Sequence, residues 1–395
     1  MICWKEGAES RSARWRSERG APPPKRVVLI DDMMPADTAY RLACEGTGLL
    51  WRGDFQNARQ LLQALARRID KPPKASKQAR VERKKAAEAA ASGVPAGQAF
   101  HLYRQARSQR ARVLGMLLIE FGADYQLSLR RAPDVKQACT EAWGAADVAA
   151  GSCIASLREL MGIISAHEWR KKGVEIAALG QPPNNRIHPH YGVFSPVRGE
   201  YVDLVAHAPL PASRPSKFVA FDIGAGTGVL SAVLALKGVD KVVATDQDLR
   251  ALACASENLQ RLRLPCPVKV MQADLFPEGL ASVIVCNPPW LPARPGSPLE
   301  AAVYDEGSRM LLGFLKGLAA HLAPGGEGWL ILSDFAEHLG LRLRADLLAA
   351  IEAGGLKVLG RIDATPNHPK AADESDALHA ARALEMTSLW RLAAV

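Results

Sequence analysis

Residues 218–228 read FVAFDIGAGTG, and residues 283–290 read VIVCNPPW. The first stretch is an apolar run that ends in an acid and continues into three closely spaced glycines. It predicts a buried strand turning into a helix, because glycines let the backbone approach a ligand and a helix start offers unpaired N–H groups. The second stretch is another apolar strand, and it ends in Asn287, two prolines and an aromatic ring. Together the two motifs predict a ligand site in an α/β domain.

Strand and helix patterns alternate on both sides of these motifs. Apolar β-branched runs predict strands at 241–246, 268–272, 282–286, 329–333, 356–362 and 388–395. Helical periodicity occurs at 229–238, 249–262, 310–322 and 344–355. This alternation predicts a parallel sheet with helices on both faces, in which ligands bind at the carboxyl ends of the strands. Asp222, Asp246, Asp274 and Asn287 all fall at such ends, so a single site is expected.

The NPPW stretch resembles the [ND]PP[YFW] signature of class I S-adenosylmethionine-dependent methyltransferases that methylate planar nitrogens. Residues 191–205 (YGVFSPVRGEYVDLV) and 298–326 are similar to segments of the release-factor glutamine methyltransferases, in the small-domain methyltransferase group. The resemblance covers residues 181–395. It implies a Rossmann-like, doubly wound, mostly parallel seven-stranded sheet whose last strand is antiparallel, with S-adenosyl-L-methionine as cofactor.

The glycine loop is expected to lie under the methionine part of that cofactor. Gly224, Gly226 and Gly228 would form it, and Asp222 would fix the loop or hold the cofactor's ammonium group through water. The spacing G-x-G-x-G differs from the G-x-G-x-x-G fingerprint of nicotinamide enzymes.

Two further acids are expected at the cofactor. Asp246 ends the second strand, where a carboxylate can accept both ribose hydroxyls, as in dinucleotide sites. Asp274, with Leu275 beside it, is placed to meet the adenine amino group and ring. A helix cap or a solvated turn is the alternative role for either acid.

Asn287, Pro288, Pro289 and Trp290 are expected to hold the methyl acceptor. The side-chain carbonyl of Asn287 and the backbone carbonyl of Pro288 can accept hydrogen bonds from a planar NH2 group and direct its lone pair at the methyl. The prolines fix φ and remove competing donors. Trp290 offers a flat face for stacking an amide or a base. Catalysis would then rest on positioning, without a strong general base. The alternative role of the motif is a plain turn.

The acceptor itself stays open. The release-factor group usually has Tyr where this chain has Trp290, and enzymes acting on adenine or guanine amino groups share the NPP-aromatic motif. The two similar segments outside NPPW favour a glutamine amide of a translation-related protein. An exocyclic amino group of a base in RNA or DNA is the second hypothesis, and a non-catalytic cofactor-binding module is the third.

Charge and composition divide the chain. Of 50 Lys+Arg and 41 Asp+Glu, residues 1–110 hold 22 and 11, which suggests a surface that faces nucleic acid or the ribosome. Residues 1–27 are predicted to be a disordered tail, and 28–180 a mainly helical accessory domain with a flexible basic linker at about 71–97. Residues 181–395 are the predicted catalytic domain. Structural support for that domain is an alternative role for 28–180.

The remaining features suggest a reduced, cytoplasmic protein. Seven scattered cysteines without a C-x-x-C pair argue against a disulfide framework or zinc ribbon. Cys286 lies in an apolar strand and is interpreted as packing. His188 and His190 lack a third ligand at suitable spacing, so no metal is expected. A monomer without membrane association is predicted, acting on a translation factor, a ribosomal protein, RNA or DNA.

Overall fold

A computed structural model describes residues 1–70, 96–212, 216–297, 299–366 and 376–395. The chain divides into two compact units, Met1–Glu168 and Trp169–Val395. The predicted boundary between 180 and 181 therefore lies slightly C-terminal to the observed division. Most of the predicted linker at about 71–97 lies outside the described residues.

The first unit contains a six-stranded mixed sheet. Its strands are β1 (Ile2–Glu6), β2 (Glu9–Trp15), β3 (Arg26–Ile30), β4 (Thr47–Trp51), β5 (Leu117–Phe121) and β6 (Cys153–Ser156). Its helices are α1 (Ala36–Cys44), α2 (Phe55–Asp70), α3 (Ala96–Leu114), α4 (Lys136–Trp143) and α5 (Leu157–Lys172), the last continuing past the division. The strand order is β1-β2-β6-β5-β4-β3, in which β3, β4 and β5 run parallel.

This sheet corrects two predictions. The prediction of a disordered tail over 1–27 is wrong, because β1 and β2 pair antiparallel there, with Ile2 and Trp4 buried. The prediction of a mainly helical accessory domain missed the sheet altogether. The sequences LLW in β4 and LLI in β5 are short and lie close to helices. They were therefore interpreted as parts of those helices and not as strands.

The second unit is built on a seven-stranded sheet. After the short pair β7 (Val174–Glu175) and β8 (Arg186–Ile187), its strands are β9 (Val219–Ile223), β10 (Lys241–Asp246), β11 (Val268–Gln272), β12 (Ala281–Cys286), β13 (Leu322–Ser333), β14 (Leu356–Ala364) and β15 (Thr387–Ala394). Its helices are α6 (Glu200–His207), α7 (Val229–Leu236), α8 (Leu249–Leu262), α9 (Arg309–His321), α10 (Phe335–His338), α11 (Arg344–Ala353) and α12 (His379–Ala383). Short 3₁₀ turns occupy Val148–Ala150, Ala177–Leu179, Leu299–Ala302 and Glu306–Ser308.

The order of this sheet is β11-β10-β9-β12-β13-β15-β14. Strands β9 to β13 pair in parallel, whereas β15 runs antiparallel to both of its neighbours. The predicted doubly wound, mostly parallel fold with an antiparallel last strand is confirmed. The order also makes β9 and β12, which carry the two motifs, direct neighbours.

Helices cover both faces of the sheet because successive strand residues point to opposite sides. Ala220 and Trp329 belong to one buried cluster, which includes the apolar residues of α7. Phe221 and Leu330 belong to the other, which includes those of α9. With both faces apolar, the strand ends are the place left for polar chemistry.

Candidate active site

A cleft of about 510 Å³ opens at the carboxyl ends of β9 to β12. Its walls include Gly224 after β9, Asp246 at the end of β10, Leu275 after β11 and Pro289 after β12. Four of the sequence-predicted residues thus line one cavity. Its volume falls in the range of small-molecule and cofactor pockets, about 300–1,000 Å³.

The glycine loop is held against β10 by its backbone. The N–H groups of Gly224 and Ala225 both donate to the Thr245 carbonyl at 2.9 Å. Gly224, Gly226 and Gly228 all have positive φ (75°, 54° and 79°), a region that side chains other than glycine rarely adopt. A side chain at Gly226 would meet nothing within 4 Å, so the loop leaves open space there.

The Asp246 side chain stabilises this loop by accepting hydrogen bonds from backbone N–H groups. Its Oδ2 accepts a bond from the Gly226 N–H and its Oδ1 one from the Asp248 N–H, both at 3.0 Å. Burial raises the pKa of this carboxyl, although the backbone donors act in the opposite direction. A carboxylate has about four acceptor positions, so the backbone donors leave capacity for a hydroxyl donor from the cleft. The predicted ribose contact therefore fits the side chain as placed.

Asp222 lies behind the loop and does not line the cleft. Its side chain is 1% exposed and accepts a bond from the Ser231 hydroxyl at 2.6 Å. Burial raises its pKa to about 6. Of the two roles predicted for it, fixing the loop agrees with this contact, because Ser231 lies in the first turn of α7.

Asp274 is exposed at the rim of the cleft. It pairs with Gln247 and with Arg309, whose guanidinium lies 3.4 Å away. Leu275 lines the cleft, and its carbonyl accepts a bond from the Thr245 hydroxyl at 2.6 Å. With a φ of 72°, Leu275 has a strained backbone. Leu275 therefore has a better position for contacting a ligand ring than the Asp274 side chain has.

The NPPW motif follows β12 directly. Pro288 is buried, Pro289 lines the cleft, and Asn287 is half-buried. The Trp290 indole N–H donates to Asn287 Oδ1 at 2.9 Å. Trp290 itself packs against both apolar clusters. Its ring is therefore more deeply placed than the open stacking surface that the sequence suggested.

The residues that surround Trp290 form an anchored cluster of charges that was not predicted from the sequence. The Arg198 guanidinium lies over the indole ring, 5.4 Å from its centroid. Arg198 also bonds two nearly buried carboxylates, Glu200 at 2.9 Å and Glu385 at 3.3 Å. Glu385 accepts a further bond from the hydroxyl of Ser333, at the end of β13. Arg198 could have been found from its place in the 191–205 segment, which resembles the release-factor group. No sequence pattern indicated Glu385.

A second group of residues that was not predicted from the sequence lines the cleft near Gly224. Asp305 accepts a bond from the backbone N–H of Met310 at 2.8 Å, and Tyr304 and Arg309 also line the cleft. The Met310 methyl group lies close over Gly224, where a Cβ atom would collide with it. That methyl group is the end of a flexible side chain that can move aside, so the requirement for glycine at position 224 comes mainly from its φ of 75°.

Other candidate groups in this unit have structural partners. Cys286 is fully buried, and burial raises the pKa of its thiol well above the usual value, as expected of a packing residue. His188 Nδ1 lies 2.6 Å from the Arg170 carbonyl, and His190 Nε2 lies 2.7 Å from Glu257. Within the described ranges, no three His, Cys, Asp or Glu side chains converge to hold a metal ion. None of the helices described is long and apolar enough to cross a bilayer.

Residues 184–344 match the family described as the methyltransferase small domain. Over these residues the second unit is therefore similar to a methyltransferase domain, the class of enzyme that the motifs indicated. S-adenosylmethionine is the cofactor of that class. The match covers the glycine loop, Asp246 and the NPPW motif.

Individual relatives have names from the same class. A ribosomal protein L11 methyltransferase of Pelotomaculum thermopropionicum is 33% identical over 151 residues, 38% of this chain and 41% of that protein. A release factor glutamine methyltransferase of Rhodopirellula baltica is 30% identical over 133 residues, 29% of this chain and 44% of that protein. A candidate protein N5-glutamine methyltransferase of Methanocaldococcus jannaschii is 31% identical over 113 residues, 27% of this chain and 56% of that protein. The chain spans about half the length of these relatives.

Proposed function

We propose that this protein is an S-adenosylmethionine-dependent N-methyltransferase whose acceptor is a planar nitrogen of a macromolecule. The observation that carries the proposal is the convergence of the two motifs. Pro289 lines the same cleft as Gly224 and Asp246, and Asn287 begins the turn that contains Pro289. An amide carbonyl at this place can bind an NH2 group beside the cofactor cleft.

The cleft residues fit the cofactor of this class. Gly224 and the remaining acceptor capacity of Asp246, both of which line the cleft, suit its methionine and ribose portions. When bound there, the cofactor supplies an electrophilic methyl group. Asn287 would orient the acceptor nitrogen, and the apolar surroundings of Pro288 and Trp290 would exclude water.

We propose a glutamine amide of a translation-related protein as the acceptor, in the cytoplasm. The names of two relatives refer to glutamine, one of them in a release factor, and a third name refers to ribosomal protein L11, which supports only a translation-related acceptor. An adenine or guanine amino group in RNA or DNA is the second candidate. It is favoured by the excess of basic residues in 1–110.

The test is methyl transfer from labelled cofactor into a lysate of cells that lack this protein, followed by separate protease and nuclease digestion. Label released by protease supports the glutamine hypothesis, and label released by nuclease supports the base. Absence of transfer, with cofactor binding demonstrated, would favour the non-catalytic module.

The same assay tests the role of Asn287. We expect Asn287→Ala to reduce transfer by at least about a hundredfold, because the acceptor nitrogen loses its orienting carbonyl. Cofactor affinity should be unchanged. Asn184→Ala, the same replacement at an exposed position, is the matched control. Full activity in Asn287→Ala would refute this mechanism.

A further inference from the structure

We infer that Trp290 is a positioning residue for Asn287 and that its ring is not the stacking surface for the acceptor. This inference rests on the proposed function, because it assigns a role within the same methyl-transfer site. It also changes the role that the sequence suggested for the last residue of NPPW.

A hydrogen bond joins the side chains of Trp290 and Asn287. An indole N–H is a donor only, so the atom of Asn287 that faces it at 2.9 Å must be the amide oxygen. Trp290 therefore fixes which way round the Asn287 amide lies. The oxygen has a second lone pair, which stays available for an NH2 donor from the acceptor.

The indole of Trp290 is itself held in place by its neighbours. Trp290 packs against both apolar clusters of the sheet, and the Arg198 guanidinium lies over its ring. Arg198 is only 19% exposed and is anchored by the carboxylates of Glu200 and Glu385. An incoming amide or base would have to displace this anchored guanidinium to stack on that face.

Arg198 is in turn anchored to the sheet through Glu385. Glu385 is 2% exposed and is also bonded by Ser333, at the carboxyl end of β13. Strand β13 pairs with β12, the strand that leads into Asn287. A continuous series of contacts thus connects Ser333, Glu385, Arg198, Trp290 and Asn287. Its effect is to hold one orientation of the catalytic amide before the acceptor arrives.

The test compares Trp290→Phe, which keeps an aromatic ring but lacks the N–H, with the wild-type full-length protein. The acceptor is total protein, or total RNA, from cells that lack this protein, in a dilution series. We expect the rate at saturating acceptor to fall about five- to tenfold, the effect of losing one neutral hydrogen bond. The acceptor concentration for half-maximal rate and the cofactor Kd should change less than about twofold, because neither contact is removed.

A structural readout accompanies the kinetics. In protein labelled with 15N-tryptophan, the indole N–H signal of Trp290 is identified as the one that is absent from Trp290→Phe. We expect this signal to shift in Asn287→Ala. It should not shift in the exposed control Asn184→Ala. A weaker acceptor interaction with an unchanged maximal rate would instead establish stacking and overturn the inference. An unaffected indole signal in Asn287→Ala would overturn it as well. If the wild-type protein transfers no methyl group at all, both the proposed function and the role of Trp290 are refuted. If the wild-type protein is active and Trp290→Phe is equally active, only the role of Trp290 is refuted.

Discussion

Among the carboxylates at the strand ends of the second unit, Asp222 is the most deeply buried. Its carboxyl is in contact with Ser231, and burial raises its pKa from 3.8 to about 6. A carboxyl whose pKa is higher in the folded than in the unfolded state stabilises the fold below its unfolded pKa. That contribution is lost as the pH rises through about 6.

Asp222→Asn should therefore change the pH dependence of stability. The amide cannot ionise but can still accept the Ser231 bond. Relative to wild type, the cofactor-free variant should gain stability between pH 4 and pH 8, by up to about 3 kcal/mol. Thermal unfolding across this pH range measures the difference. Asp203→Asn, at an exposed position of α6, is the control, and parallel profiles for wild type and Asp222→Asn would contradict the prediction.

A residue of the candidate site could be predicted from the sequence when a local feature, such as a strand end, positions it. It could not be predicted when only a tertiary contact does so. Asp246, Leu275 and Pro289 directly end or follow strands, and strand ends are visible in the sequence. Glu385 reaches the site from a segment distant along the chain, and no local pattern indicates where such a segment passes. Met310 lies within the 298–326 segment, but the pattern of that segment does not show that the side chain reaches Gly224. Trp290 was predicted at the site, but its orientation depends on Arg198, a tertiary contact that the sequence does not show.

At the scale of elements, the packing of α7 against α8 depends on Gly228. A Cβ atom there would lie 3.2 Å from Cα and Cβ of Ala255, and Gly228 has a φ of 79°. Gly226 also has a positive φ, but a Cβ atom at that position would meet nothing within 4 Å. The two glycines thus differ in packing and share the same backbone requirement.

Gly228→Ala should accordingly destabilise the protein more than Gly226→Ala. The backbone penalty, about 1–2 kcal/mol, applies to both. Overpacking against α8 adds about 1–3 kcal/mol for Gly228→Ala alone. Chemical denaturation of both variants measures the difference, and equal destabilisation would show that α8 moves aside freely.

Helices and strands could be predicted where the hydrophobic periodicity and the length of a segment indicated the same type of element. The strand predicted at 241–246 and the helix predicted at 249–262 coincide with β10 and α8. Strand β13 begins at Leu322, whereas the prediction began at 329, because Pro324, Gly325 and Gly326 suggested a break. Strands β1 and β2 were missed because charged residues at their exposed positions resemble a polar tail; only the alternation of Ile2 and Trp4 indicated a strand.

At the scale of the whole molecule, the charge excess follows the division into units. Residues 1–168 hold 27 Lys+Arg and 18 Asp+Glu, which equals the net charge of +9 of the entire chain. Residues 169–395 hold 23 of each. The net positive charge that could attract a nucleic acid or an acidic partner therefore lies in the first unit, whereas the proposed methyltransferase site lies in the second.

Removing the first unit should separate these contributions. Cutting after Glu168 respects the observed division, whereas cutting after residue 97 would remove four strands of a six-stranded sheet and leave β5 and β6 without β4 and β2. We expect residues 169–395 to bind cofactor within about threefold of the full chain, since the cleft lies in that unit. We expect them to methylate a macromolecular acceptor at least about tenfold more slowly.

The salt dependence of methyl transfer provides a second comparison. For the full chain, raising salt from about 50 to 200 mM should reduce transfer, and for residues 169–395 it should not. Equal, salt-independent rates for both proteins would mean that the basic unit takes no part in acceptor binding and acts only as structural support.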